Sequence, residues 1–104
     1  MKNAESVLLV KFNSTHSLEK LVKVTEETLA TFRNVPRLLQ KYYILEESTG
    51  AISGFYIFED RDARESFWNS ELAKSIPATF AVIPESLRVE RYEMAVILND
   101  VVLA

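Results

Sequence analysis

Cysteine is absent from this chain of 104 residues, histidine occurs once and glycine twice. Without cysteine there are no disulfides, no thiolate nucleophile and no Cys-type zinc site. The single histidine, His16, precedes a helix in a polar loop and reads as a surface residue; it completes neither a metal-ligand set nor a Ser-His-Asp triad. Two glycines cannot form a phosphate-cradling loop, and neither HExxH nor GxGxxG occurs. A net charge of −3 offers no basic stripe for a phosphate backbone, which argues against nucleic acid as a partner. No stretch approaches the roughly 18 apolar residues of a membrane span. MKNAESVLLVKF has too short an apolar run before Lys11 to be a signal-peptide core. A soluble cytoplasmic protein is the expectation.

What is present is ordinary globular composition, 48% apolar and 26% charged, with no linker, repeat or low-complexity run. The length suits one domain, residues 1–104, able to build a single core. SVLLVKF (6–12) is short and β-rich, and predicts a buried strand. SLEKLVKVTEETLATF (17–32) carries Leu18, Leu21, Val22, Thr25, Leu29 and Phe32 at helical spacing, with Ser17 as N-cap and Pro36 as a stop. RLLQKYYILEE (37–47) and AISGFYIFE (51–59) are rich in Tyr, Phe and Ile around Ser48-Thr49-Gly50, and predict a hairpin.

A further helix starts at Asp60 and contains RESFWNSELAKSIP (64–77), with the only tryptophan. Its apolar residues do not form one stripe: Ala63 and Phe67 lie on one side, Trp68, Leu72 and Ile76 well round from them. A break at Asn69-Ser70, both good capping residues, lets two short helices turn both sets inward. LRVERYEMAVIL (87–98) predicts a last strand.

The order is then βαββαβ, the ferredoxin-like α+β arrangement of two helical segments on one face of a four-stranded antiparallel sheet. Helices cover only one face, yet both parities of the hairpin are apolar or aromatic: Tyr42, Ile44, Phe55 and Ile57 on one, Tyr43, Leu45, Tyr56 and Phe58 on the other. An uncovered face of that composition exceeds the apolar patch usual on monomers, so a homodimer with sheets packed face to face is expected.

VPRLLQKYY (35–43), GFYIFEDRDA (54–63) and SELAKSI (70–76) resemble the dimeric α/β-barrel superfamily, and within it the YdhR-like monooxygenases related to the antibiotic biosynthesis monooxygenases. The resemblance spans roughly residues 6–94; Arg37 and Ser53 stand where glycine is usual. It implies the fold and a dimer, and an activity that uses no cofactor. In related quinone-forming and haem-degrading enzymes the site lies between sheet and helices of each subunit, with an Asn on the first strand and a Trp on the second helix. Trp68 sits on the matching helix. On the first strand the polar residues are Lys11 and, two positions on, Asn13, so the Asn role falls on these two. The haem-degrading relatives need an axial His about ten residues after the Trp, where this chain has Ala78, which disfavours haem.

The resemblance therefore puts Lys11, Asn13 and Trp68 in catalytic positions. A hairpin turning about Thr49-Gly50 sets Tyr43 opposite Tyr56 and Lys41 opposite Phe58 on one side of the sheet; a three-residue loop shifts that register by one. Lys41, Tyr43, Tyr56 and Phe58 are the substrate-binding candidates, their ammonium and phenols supplying donors to an aromatic anion and their rings a stacking surface. Oxygenation without a cofactor needs a substrate that itself reduces O2, such as a phenolate or enolate, which desolvation and a nearby cation favour. The function expected is a small cofactor-independent monooxygenase for an electron-rich aromatic or polyketide-like substrate. The alternative is a non-catalytic homodimer of the same fold that binds a small aromatic or apolar molecule or only associates with other proteins. The plain reading of Trp68 and the tyrosines is core packing, and Lys41 on an edge strand equally suits a side chain reaching solvent. The acids of Glu46-Glu47 and Glu59 to Asp62 flank turns and a helix start and read as structural. AVILNDVVLA (95–104) has the composition of a docked segment: Ala95 to Leu98 can extend the last strand, and residues 99–104 are expected against the partner subunit, the alternative being that they fold back on their own subunit.

Overall fold

β1 (Ser6–Phe12) is the strand that the short apolar run predicts, and every further element is built onto it. The computed structural model describes residues 5–97. After β1 come α1 (Leu18–Arg33), the hairpin strands β2 (Leu38–Leu45) and β3 (Ile52–Phe58), α2 (Arg61–Trp68), α3 (Glu71–Thr79), a 3-10 turn at Pro84–Ser86 and β4 (Arg88–Glu93). The sheet order is β2-β3-β1-β4 with every neighbouring pair antiparallel, the ferredoxin-like α+β fold.

The helices begin where polar caps allow. Ser17 accepts from the Lys20 N–H at 3.1 Å and Asp60 from the Ala63 N–H at 2.9 Å. The expected interruption at residues 69 and 70 is present: Asn69 is the C-cap of α2, and Ser70 caps α3 by accepting from the Ala73 N–H at 3.2 Å. The break resolves the split apolar pattern. Ala63 and Phe67 on α2 and Ala73 and Ile76 on α3 are all buried in one core, with Trp68 and Leu72 packed against it.

Period-two alternation assigns the two faces of the sheet. Ser6, Leu8, Val10 and Phe12 face the helices together with Ile52, Gly54, Tyr56 and Phe58. Val7, Leu9 and Lys11 face away, beside Ser53, Phe55 and Ile57. The centre of that second face, Val7 and Ile57, is buried, whereas Tyr42, Ile44 and Tyr92 on its flanks are about half exposed, at 47%, 47% and 48%.

Two expectations are corrected. The hairpin pairs Tyr43 with Gly54 and Lys41 with Tyr56, two residues away from the register expected about Thr49-Gly50. The cause is a longer loop: Gly50 adopts φ +73° at its end rather than its centre, donating to the Glu46 carbonyl, and Glu46 N–H closes onto Ala51. A shift of two keeps parity, so the same side chains still face the helices. β4 is shorter than expected, because its pairing with β1 ends at Ser6 opposite Glu93 and residues 94–97 lie beyond the strand. The expected docking of residues 99–104 falls outside the described residues.

Candidate functional site

Lys41 occupies edge strand β2 with the parity that faces the helices, directly across from Tyr56. An edge lysine commonly turns outward; this one folds inward among rings. Its Nζ lies 3.1 Å from the centroid of Phe32 on α1, 4.3 Å from that of Tyr43 and 4.6 Å from that of Tyr56. It donates to the Tyr43 hydroxyl at 2.5 Å. No carboxylate pairs with it among the described residues. Behind it the rings continue: Tyr56 stacks on Phe58 with centroids 6.1 Å apart, and Phe67 of α2 lies 5.0 Å from Tyr56 and 6.3 Å from Phe32.

The group opens onto a cleft of about 470 Å³ between α1 and β2, walled mainly by Leu29, Phe32, Leu38, Leu39 and Tyr43, with Lys41, Thr25, Arg33 and Gln40 as its polar members. Successive residues of a regular strand point to opposite sides, so Leu38 and Leu39 share this wall only because the register of β2 slips between Leu38 and Gln40. The bulge thus widens the apolar wall at the edge.

Burial in this setting governs the protonation of the polar groups. Removal from water disfavours the ammonium and brings the Lys41 pKa down to about 7. The ring faces act the other way, since their quadrupoles favour the cation by of order 1–2 kcal/mol, about one pH unit, so the amine titrates in the neutral to mildly alkaline range. Burial of its hydroxyl end pushes Tyr43 up to about 12, against a hydrogen bond with Thr28 that lowers it, although the residue as a whole is 37% exposed on the cleft. Tyr56 is raised further, by burial first and by its neighbour Tyr43 second. At neutral pH the site therefore holds two protonated phenols and an amine with a substantial free-base fraction. That combination can accept a proton from an acidic hydroxyl and then face the resulting anion as a cation.

Of the residues singled out in the sequence, Lys41, Tyr43, Tyr56 and Phe58 come together here. Lys11, Asn13 and Trp68 do not. Lys11 alternates onto the other face of the sheet because Leu8, Val10 and Phe12 take the helix side, and its ammonium is bound by Glu46. Asn13 is exposed, its backbone held by Ser86 and Ile83. Trp68 packs partly buried on the core, and its neighbour Phe67 supplies the ring that meets Tyr56. Phe32 and Phe67 are members of the site that sequence reasoning treats only as core. Their signal was a helical apolar face, which does not tell a wall from a filling.

Among the described residues no cluster of His, Cys, Asp and Glu is placed to hold a metal ion, and no helix is long and apolar enough to cross a membrane. No protein-family model matches the chain, and no curated protein matches it in sequence. Solved structures do. A protein of unknown function from Nitrosomonas europaea superposes with a TM-score of 0.72 at 15% identity, over 94% of this chain and 96% of that one. SnoaB, a cofactor-independent oxygenase from Streptomyces nogalater, matches with a TM-score of 0.64 at 12% identity, over 94% and 98%. A candidate antibiotic biosynthesis monooxygenase from Bacteroides thetaiotaomicron matches with 0.60 at 17%, over 93% of each chain. At these identities the likeness is one of fold alone, the ferredoxin-like α+β fold.

Proposed function

We propose that this chain is a small cofactor-independent monooxygenase of the YdhR-like kind, oxidising an electron-rich phenolic or polyketide-like aromatic in the cleft between α1 and β2. The observation that carries the reading is Lys41, an amine without a carboxylate partner among the described residues, held against Phe32, Tyr43 and Tyr56 at the wall of an apolar cleft. Support also comes from the fold shared with SnoaB, itself a cofactor-independent oxygenase.

The chemistry follows from the protonation states. A phenol entering the cleft transfers its O–H proton to the free base of Lys41, and the ammonium formed stays beside the phenolate. The phenolate gives one electron to O2, and the resulting superoxide and phenoxyl radical combine at an ortho or para ring carbon that bears hydrogen. The peroxide loses water: one oxygen remains as a quinone carbonyl, and the other leaves with the former C–H and O–H hydrogens. Tyr43, kept protonated, donates to the peroxide oxygen as it leaves. Tyr56, with Phe58 stacked behind it, backs Lys41 from the core, and Lys11 and Asn13 have no part in these steps.

The assembly proposed is a single-domain homodimer acting in the cytoplasm. The half-exposed Tyr42, Ile44 and Tyr92 on the face away from the helices are the side chains a second sheet would cover. Light scattering at micromolar concentration is expected to give twice the chain mass, and a monomer mass would end the dimer reading. For the activity, O2 uptake with a naphthol panel is followed together with quinone absorbance. Protein-dependent uptake matched by quinone, and slowed at least about tenfold by Lys41→Met, is expected for loss of a general base. Uptake no faster than in buffer across the panel would overturn the oxygenase reading.

A further inference from the structure

Lys41 has a second capacity that oxygen chemistry does not use. Four features of its surroundings bear on it. The amine has no carboxylate partner among the described residues, whereas Lys11 is paired with Glu46 and Lys74 with Glu71. Its nitrogen lies against the faces of Phe32, Tyr43 and Tyr56, which shield one side of it from water. A hydroxyl that can give and take a proton, that of Tyr43, stands 2.5 Å away. A largely apolar cleft of about 470 Å³ is lined by the same residue, large enough for a substituted single ring.

We propose that Lys41 is a carbonyl-capturing amine, which condenses with an aromatic aldehyde or ketone seated in the cleft between α1 and β2 to form an imine. The reaction needs a lone pair on nitrogen, and a buried, unpaired amine supplies it near neutral pH while solvated lysines remain ammonium ions. The amine attacks the carbonyl carbon, forming the C–N bond as the π electrons move to oxygen. That oxygen takes the Tyr43 proton, and the phenolate recovers a proton from the new ammonium, which leaves a neutral carbinolamine. Protonation of its hydroxyl, again through Tyr43, releases water as the nitrogen lone pair closes the C=N bond, and the iminium N–H then returns its proton to the Tyr43 phenolate, leaving the neutral imine. The balance is one carbonyl and one amine giving one imine and one water, with no change of oxidation state.

The wall residues select the carbonyl. Leu29, Leu38 and Leu39 favour an apolar ring, and Phe32 and Tyr43 offer faces for stacking. Neither oxygen nor an ionisable phenol is required, so the capture stands or falls apart from the oxygenase reading. Lys41 is also reachable, since it lines the cleft itself.

The test uses the unmodified protein under nitrogen, with benzaldehyde and cyanoborohydride at pH 7, which reduces any imine to a stable secondary amine. Peptide mapping then compares lysines within the same molecules, so the result does not depend on the folding of a variant. Lys41 is expected to be labelled at least about tenfold faster than Lys20 or Lys23, which are exposed on α1. That preference is expected to shrink when formaldehyde, which gains nothing from the ring walls, replaces benzaldehyde. Tyr43→Phe is expected to slow labelling at Lys41 and leave Lys20 and Lys23 unchanged. Labelling of Lys41 no faster than that of the surface lysines, or an equal preference with both aldehydes, would overturn the proposal.

Discussion

The ring of Tyr56 lies over Gly54, two residues back on the same strand, so closely that a Cβ at residue 54 would stand 2.8 Å from Tyr56 Cε1. The bare backbone at Gly54 is the floor on which this ring lies, and Tyr56 in turn backs Lys41. Gly54→Ala is therefore expected to tilt Tyr56 away, at roughly 1–3 kcal/mol of stability for overpacking. It should also admit water to Lys41 and raise its pKa toward that of an ordinary lysine. Denaturant unfolding reads the first effect and the pH dependence of lysine acetylation the second. An alanine variant of unchanged stability and reactivity would show that Tyr56 has room to move.

Lys41 also ties stability to pH, and the sign is definite. Its folded pKa, about 7, lies below the ordinary lysine value of 10.5, so between these values the unfolded chain binds more protons. Stability from this group is then fully present above about pH 10.5 and is lost as pH falls toward 7. Lys41→Met removes the buried charge, and below pH 7 the variant is expected to be about 1–2 kcal/mol more stable than the parent, after allowance for the lost attraction to the rings. Above pH 10 the raised pKa of Tyr43 and Tyr56 works in the opposite direction, since the unfolded chain loses phenol protons first. Urea melts from pH 6 to 10 check this: equal slopes against pH for parent and variant would remove Lys41 as the source.

Much of the fold was legible because local signals and burial agree. Ser17, Asp60 and Ser70 are caps in the structure as in the sequence, and Asn69-Ser70 divides the helix whose apolar residues could not share one stripe. The site was half legible. Parity alone put Lys41, Tyr43, Tyr56 and Phe58 on one face, and parity survives the two-residue error in hairpin register. The partner rings were not legible, because Phe32 and Phe67 reach Tyr56 only through the packing of α1 and α2 on the sheet. Nor was the inward turn of Lys41, which depends on what α1 places above an edge strand. Lys11 was assigned by position along β1; its alternation with Val10 and Phe12 already pointed it the other way.

Arg37 carries a residue-specific strain. It has φ +60°, the left-handed region that favours glycine, and its carbonyl accepts from the Glu59 N–H at 3.1 Å. Here the side chain offsets the strain with an ion pair to Asp60 at 2.8 Å, in which both partners are well exposed and the attraction is correspondingly small. Arg37→Gly is expected to leave stability within about 1 kcal/mol of the parent, whereas Arg37→Val, a β-branched residue with neither advantage, should cost roughly 1–2 kcal/mol. Thermal melts of the two variants distinguish them; equal losses would mean that the ion pair, not the backbone, sets the outcome.

The join between α2 and the sheet rests on Arg64, whose side chain is only 6% exposed. Its guanidinium donates to Glu65 at 2.9 Å, to the Tyr92 carbonyl at 3.1 Å and to Glu93 at 3.1 Å, and Glu93 also accepts from the buried Ser6 hydroxyl at 2.7 Å. Both carboxyls are held below the usual range. For Glu93 the Ser6 hydrogen bond leads, with Arg61 and Arg64 adding to it against partial burial. For Glu65 partial burial pushes upward, and the hydrogen bonds from Arg64 and Arg91 outweigh it. Depressed carboxyls lend stability that is present above the ordinary carboxylate pKa and is lost as pH falls through their folded values. Glu93→Gln keeps the shape but removes the charge, and is expected to cost roughly 1–2 kcal/mol at pH 7, because Glu65 still pairs with Arg64 and Glu93 is partly solvated. Removing Arg64 as well, in Arg64→Met with Glu93→Leu, eliminates the buried charge and should recover part of that loss. The cost of Glu93→Gln should also shrink as pH falls below the ordinary carboxylate range and the parent's own Glu93 takes up a proton. A loss that persists undiminished through that acid range would show that Glu93 acts through packing alone.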